Sequence, residues 1–216
     1  EIGEVLNSAL ELPELLGMIL TGVTASQGLR FNRAFLLLVD EQTQALVGRL
    51  AVGPDDPEQA ARVWSDLAGE ALSLKEILLT RGRQVLDSES RVRAIVESLR
   101  VPLRESGHVL IRGLAETGAR VVHRQGAEGA SGRNVADRLQ VDHFAMVPIG
   151  SRSGPIGLLL ADNAITGRPI EQGDLDILRL FAGHAGTAIE KTRLYAGLME
   201  EKNALETARR EQRANH

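Results

Sequence analysis

The chain has 216 residues and no cysteine. That absence removes disulfide frameworks, thiolate nucleophiles, Cys-ligated zinc and any chromophore held through a thioether. It is compatible with a reducing compartment. Aromatic residues make up only 3% of the sequence, with one Trp and one Tyr, so stacking platforms for single-stranded nucleic acid are scarce. Neither sign of charge dominates: 25 Lys and Arg stand against 29 Asp and Glu. The basic residues are spread along the chain, which argues against a nucleic-acid partner. The apolar-rich stretch near the start, "LLGMILTGVTA" (15–25), is too short to span a bilayer and follows no basic segment. The expectation is a cytoplasmic chain with no membrane insertion in this segment. No Walker loop, G-x-G-x-x-G turn or G-x-S-x-G elbow occurs, so catalysis has no positive support and no enzyme is expected.

What is present reads as an ordinary globular protein, 43% hydrophobic and 25% charged. Leu12, Leu16, Ile19 and Val23 recur at helical spacing, with Pro13 suited to a first turn and Ile2 to Leu12 expected as a separate lead-in helix. "RAFLLLVDEQTQALVGRLAVG" (33–53) predicts an antiparallel hairpin. Its first run, Ala34 to Val39, is unbroken apolar and so belongs inside a sheet covered on both faces. In its second run, simple alternation puts Leu46, Gly48, Leu50 and Val52 on one face and Val47, Arg49 and Ala51 on the other. From Pro54 to about Gly107 the pattern turns helical, with Val63, Trp64 and Leu67 on one stripe and Val92, Ile95, Val96 and Leu99 on another. A strand around Arg120 to His123 and a short helix, "NVADRLQ", follow. Two strands, 143–151 and 154–163, come next, and Pro148 signals a bulge or an edge-like position. The C-terminal stretch is one long helix with Leu175, Leu178, Ala182, Ala185, Ile189, Thr192, Ala196 and Met199 in register, thinning to Leu205 and Ala208 in a coiled-coil-like arm.

The stretches "GLRFNRAFLLLVDEQTQALVGRLAVGP", "GLAETGARVVH" and "FAMVPIGSRSGPIGLLLADNAITGRPIEQGDLDILRLFAGHAGTAIE" resemble the GAF sensor domain family over roughly residues 13 to 195. The resemblance implies an α+β fold: an antiparallel sheet of about six strands, the terminal helices on one face and a helical insertion over the other. It divides the chain into a linker helix (1–12), a GAF domain (13–195) and a C-terminal signalling helix (196–216). It also implies a sensory module of a bacterial signalling protein, of histidine kinase, two-component or cyclic-nucleotide turnover type. Such a module binds a small molecule and pairs as a homodimer through its terminal helices, acting on an output domain absent from this chain. The cofactor is left unknown. A ligandless dimerisation spacer is the alternative, and a small carboxylate-dependent enzyme a third. The Asn-Lys pair of cyclic-nucleotide-binding members is missing, since Asn163 precedes Ala164, and without cysteine neither bilin attachment nor methionine sulfoxide reduction by that family's route is open.

Three residues are candidate ligand contacts. Arg49 can offer its fork of donors to a carboxylate or phosphate, or pair with an acid at the sheet's rim. Trp64 can roof a pocket or anchor the insertion to the sheet. His123 is the choice if the haem binding of some family members holds, against a plain core or surface histidine. No two of the five histidines show H-x-x-x-H spacing, so no metal site is expected. The acidic stretch Asp162, Asn163, Asp174 and Asp176 reads as a strand end, where Asx side chains bind local backbone, followed by a capped helix start with Glu171 and Asp174.

Overall fold

The computed structural model describes residues 12–24, 31–62 and 90–214. The expected helix before Leu12, and Val63, Trp64 and Leu67, lie outside them. The elements run α1 (Leu12–Thr24), β1 (Arg33–Asp40), β2 (Ala45–Val52), α2 (Arg91–Ser98), β3 (Arg100–Pro102), α3 (Val109–Leu114), β4 (Arg120–His123), α4 (Gly129–Leu139), β5 (His143–Ser151), β6 (Gly154–Asp162) and α5 (Gln172–Ala214). A further helical turn covers 57–62.

The six strands form one antiparallel sheet in the order β3-β2-β1-β6-β5-β4. The apolar run of β1 sits in the middle, covered on both sides as its composition requires. One face carries α1 and α5, whose Leu16, Ile19, Leu20, Leu178, Ala182 and Ile189 pack on Ala34, Leu36, Ala145 and Leu159. The other face carries α2, α3 and α4, packed on Phe35, Leu37, Met146, Leu158 and Leu160. Period-two alternation sends successive strand residues to opposite layers. Each fully buried Leu or Ile contributes about 1.5–3 kcal/mol, so the two layers supply most of the driving force.

Three local features refine the sequence reading. The stretch from Pro54 to Gly107 is not helical throughout: β3 pairs with β2 through Val101 opposite Leu46. Alternation along β2 breaks, because Leu36 faces Leu50 while Leu37 faces Gly48, leaving Arg49 as the extra residue of a bulge. Leu46 and Gly48 therefore face α2, whereas Leu50 and Val52 face the terminal helices. Pro148 stands opposite Leu158, past the end of the β4 pairing that stops at Met146, so its missing donor faces no strand there. A register shift follows one residue later, between Ile149 and Gly150.

Helix starts follow their side chains. Ser90 caps α2 by accepting from the Arg93 amide at 3.1 Å. At the start of α5 the Asp174 carboxylate reaches back to the Glu171 amide at 3.0 Å and also receives Arg168 at 2.9 Å. This helix is 43 residues long. Its last buried residue is Ile189, and every residue from Lys191 to Arg210 is exposed, Thr192, Ala196 and Met199 included.

The tight crossing of α2 over β2 depends on Gly48. A Cβ there would lie 1.9 Å from the Val96 carbonyl oxygen, a backbone atom that cannot swing aside. Gly48→Ala is expected to destabilise the fold by about 1–3 kcal/mol, read as a lower urea midpoint with an unchanged slope; an unaltered midpoint would refute this account of the crossing.

Candidate functional site

One end of the sheet gathers the starts of β1 and β5 with the ends of β4 and β6, and there the polar residues collect. Arg33 and Asp162, directly opposite in the β1–β6 register, form a buried ion pair. Arg33 Nε donates to Asp162 Oδ1 at 2.9 Å and Nη2 to Oδ2 at 2.7 Å, a two-pronged geometry that a lysine cannot reproduce. Nη2 also donates to the Leu139 carbonyl at 2.5 Å. That carbonyl belongs to the last residue of α4, where helices leave acceptors unpaired. The Phe35 ring lies beneath the guanidinium, 5.4 Å from Cζ to centroid. Asp162 is fully buried. Burial pushes its carboxyl above the usual range, while Arg33 and the Ala164 amide pull it back.

The expected Asx bond at this strand end is present, since Ala164 N donates to Asp162 Oδ1 at 3.0 Å. The same carboxylate does more than end the strand, because it carries the Arg33 pair. The following loop is fastened by Asn32 and Asn163. Asn32 Oδ1 accepts from the amides of Ile165 and Thr166 at 3.0 and 2.9 Å and from the Thr166 hydroxyl at 3.1 Å. Asn163 Oδ1 accepts from the Asn32 amide at 3.3 Å, and its Nδ2 donates to the Arg168 carbonyl at 2.9 Å. The loop between β6 and α5 is thus a bonded extension of the sheet.

Beside this cluster lies a cleft of about 400 Å³, lined by Arg124, Ala136, Asp137, Gln140, Val141, Asp142, His143, Asn163, Ala164 and Gly167. Its walls are the C-terminal end of α4, the start of β5 and the β6–α5 loop. Arg124 Nε donates to Asp137 Oδ1 at 2.5 Å, and the pairing raises the guanidinium above its ordinary value. Arg124, His143 and the side-chain amide of Gln140 supply donors, and Asp142 and Asp137 supply acceptors. The lining is polar and of both signs, and it holds no nucleophile–base arrangement.

Of the three candidates from the sequence, the two within the described residues, Arg49 and His123, do not converge: they lie on strands separated by three others in the sheet. Arg49, at the β2 bulge, turns outward with its side chain 49% exposed and donates to Asp40 at 3.2 Å. The pair is weak: Asp40 is held below its usual range first by the Thr43 amide, and Arg49 contributes least among the causes. His123 stands at the exposed end of β4 with its ring 5.8 Å from that of His143, a cleft residue. Trp64 lies outside the described residues. His184 is half-buried on α5. The sequence reading did not single out Arg33, Asn32 or Arg124; a charged residue abutting an unbroken apolar strand was the signal available for Arg33.

No family model matches the sequence, and no curated protein matches it. Solved structures do. The GAF domain from an Acinetobacter phosphoenolpyruvate-protein phosphotransferase is 13% identical with a TM-score of 0.55, covering 91% of this chain and 92% of that one. A phycoerythrobilin-bound GAF domain from a cyanobacterial phytochrome is 11% identical with a TM-score of 0.59, covering 90% and 94%. The free methionine-R-sulfoxide reductase of Neisseria meningitidis, in complex with its substrate, is 17% identical with a TM-score of 0.54, covering 90% and 87%. The chain has the GAF-type fold, α+β with a six-stranded antiparallel sheet. Identities this low speak to fold alone.

The buried pair makes a direct prediction. Asp162→Asn strands the Arg33 charge in the interior and is expected to cost about 3–5 kcal/mol, whereas the double replacement Arg33→Met with Asp162→Leu restores much of it. Denaturant unfolding of the three chains checks this. Equal losses in the single and double variants would mean that the pair is not what the core depends on.

Proposed function

We propose that the chain is a non-catalytic sensory GAF module of a bacterial signalling protein. It binds a small polar molecule in the cleft and relays that event through a dimeric α5 to an output domain outside this chain, of histidine kinase or cyclic-nucleotide turnover type. The observation that carries the reading is a continuity: the loop of Asn163, Ala164 and Gly167 walls the cleft and leads directly into the 43-residue helix. Residues 13–195 form the sensing domain on this reading and 196–216 the outgoing arm. A cytoplasmic location and the absence of nucleic-acid partners accord with the composition. No described helix is long and apolar enough to cross a membrane. The rim position of His123, beside a cleft residue, supports it as a ligand contact, whereas the solvent-facing pair of Arg49 weakens its case.

Dimerisation has its own support. Ile177, Leu180, Leu194, Leu198 and Leu205 fall on one 3.5-residue repeat and are all exposed, from 41% to 64%. His184, Thr187 and Lys191 occupy the same repeat between the two apolar groups. The seam lies away from the face that packs on the sheet, so a second copy can cover it without disturbing the core. In this mechanism the ligand prefers one packing of the paired helices, and that difference in affinity shifts the dimer. The alternative, a ligandless dimerisation spacer, gains from the apolar core that fills the sheet face under α2, α3 and α4.

Two measurements separate these readings. Leu194→Glu with Leu198→Glu places charges in the seam and is expected to convert the dimer to a folded monomer by sedimentation; a wild-type chain that is already monomeric at high concentration would sink the relay. Native mass spectrometry of freshly purified protein is expected to show the dimer with a retained small molecule, lost in Arg124→Ala. A dimer that carries no adduct and whose melting no polar metabolite shifts would favour the spacer.

A further inference from the structure

We infer that His123 and His143 form an open two-histidine chelate for a borderline divalent transition-metal ion, of the class of Cu2+, Ni2+ or Zn2+. The two residues are 20 apart in sequence but directly opposite in the β4–β5 register. The next pair outward, Arg124 and Asp142, is hydrogen-bonded, the Arg124 amide donating to the Asp142 carbonyl at 2.8 Å. Hydrogen-bonded and non-hydrogen-bonded pairs alternate along an antiparallel ladder, so His123 and His143 occupy a non-hydrogen-bonded pair. There the backbones approach to about 4.5 Å and the side chains lie closest. Both rings project to the same face at the end of the sheet, their centroids 5.8 Å apart and their planes inclined by 33°.

This geometry suits a shared ion. A metal about 2.1 Å from one nitrogen of each ring lies roughly 3.2 Å from each ring centre, and twice that distance spans the observed 5.8 Å. One ion therefore reaches both rings with a bond angle open enough for tetrahedral coordination, with little change in backbone. His123 is exposed and His143 half-buried, so an ion can enter from solvent. The surrounding charge does not oppose it: Arg124 is tied to Asp137, Asp142 flanks His143, and Asp162 lies within electrostatic reach of it.

Among the described residues no group of three or more His, Cys, Asp or Glu is arranged to hold a metal. The chelate is therefore open, with water or an incoming ligand atom in the other positions. Imidazole nitrogens suit Cu2+, Ni2+ and Zn2+ rather than Mg2+ or Ca2+, and with geometry this permissive Cu2+ binds most tightly. Because the ion joins the short edge strand β4 to β5, it binds the paired strands and not the unfolded chain, and so raises the melting temperature.

The test uses the full chain without any affinity tag, stripped with a chelator and titrated with Cu2+ and Ni2+ by calorimetry at neutral pH. One ion per chain is expected, with a rise in melting temperature. His123→Ala and His143→Ala should each weaken binding by about tenfold or more, while His108→Ala and His184→Ala leave it unchanged. His123→Gln and His143→Gln, which keep a polar side chain on each strand, are measured alongside, with circular dichroism to verify folding. Binding that survives in folded His123 and His143 variants, or that His108→Ala and His184→Ala weaken equally, would overturn the assignment, as would a wild-type chain that takes up no ion.

Discussion

The arrangement of this molecule hangs on the pair between Arg33 and Asp162. Sinking a carboxylate and a guanidinium among apolar side chains costs several kcal/mol per ion, and a pair of this kind is poor evidence for stability. Its value lies in what it fixes. The two residues stand at the first position of β1 and the last of β6, so a slip of one residue would turn Arg33 to the opposite layer and leave both charges without partners. The third contact, from Arg33 to the Leu139 carbonyl, docks the end of α4 on the same point. Strand register, helix position and the start of the β6–α5 loop are specified by one pair of side chains.

Much of the architecture was legible because the elements that matter most are long and periodic. β1 reads as a central strand from an unbroken apolar run, and α5 from its three-to-four repeat without proline. The short elements were not legible, for a plain reason: β3 has three residues, too few to display any period. The bulge at Arg49 was hidden because alternation, read straight through an extra residue, assigns the wrong face to everything beyond it. Leu50 and Val52 moved to the other layer on that account. Arg49 itself, an isolated charge on an apolar strand, needed no ligand to explain it once the bulge turned it to solvent.

The polar cluster was the least legible part. Asp162 and Asn163 do bind local backbone, as their residue types suggest, but their partners Arg33 and Asn32 lie about 130 positions earlier. No local pattern announces such a pairing; only the closing of the sheet, which lays β1 against β6, brings the two ends together. The same holds for His123 and His143, since a search for ligands at helical spacing passes over two residues that meet across a ladder. Sequence reading located the ends of β4, β5 and β6 to within a residue and missed what those ends share.

These connections bear on how a module of this shape can transmit anything. A loop free to flex would absorb a ligand's contact locally, whereas this one is bonded at Asn32, Asn163 and Arg168 and passes into the capped start of α5 through Asp174. Displacing Asn163 or Gly167 from the cleft side therefore loads the start of the helix, while Leu178, Ala182 and Ile189 hold its first turns against the sheet. On the proposed relay the helix would respond by tilting or turning as one body, since no proline interrupts it. Glu190 still accepts from the Arg152 amide at 3.3 Å, and from Lys191 to Arg210 every residue is exposed. In the proposed dimer, a small rotation at the sheet's end would be carried along the exposed length to the seam at Leu194, Leu198 and Leu205, where pairing between copies would discriminate one orientation from another.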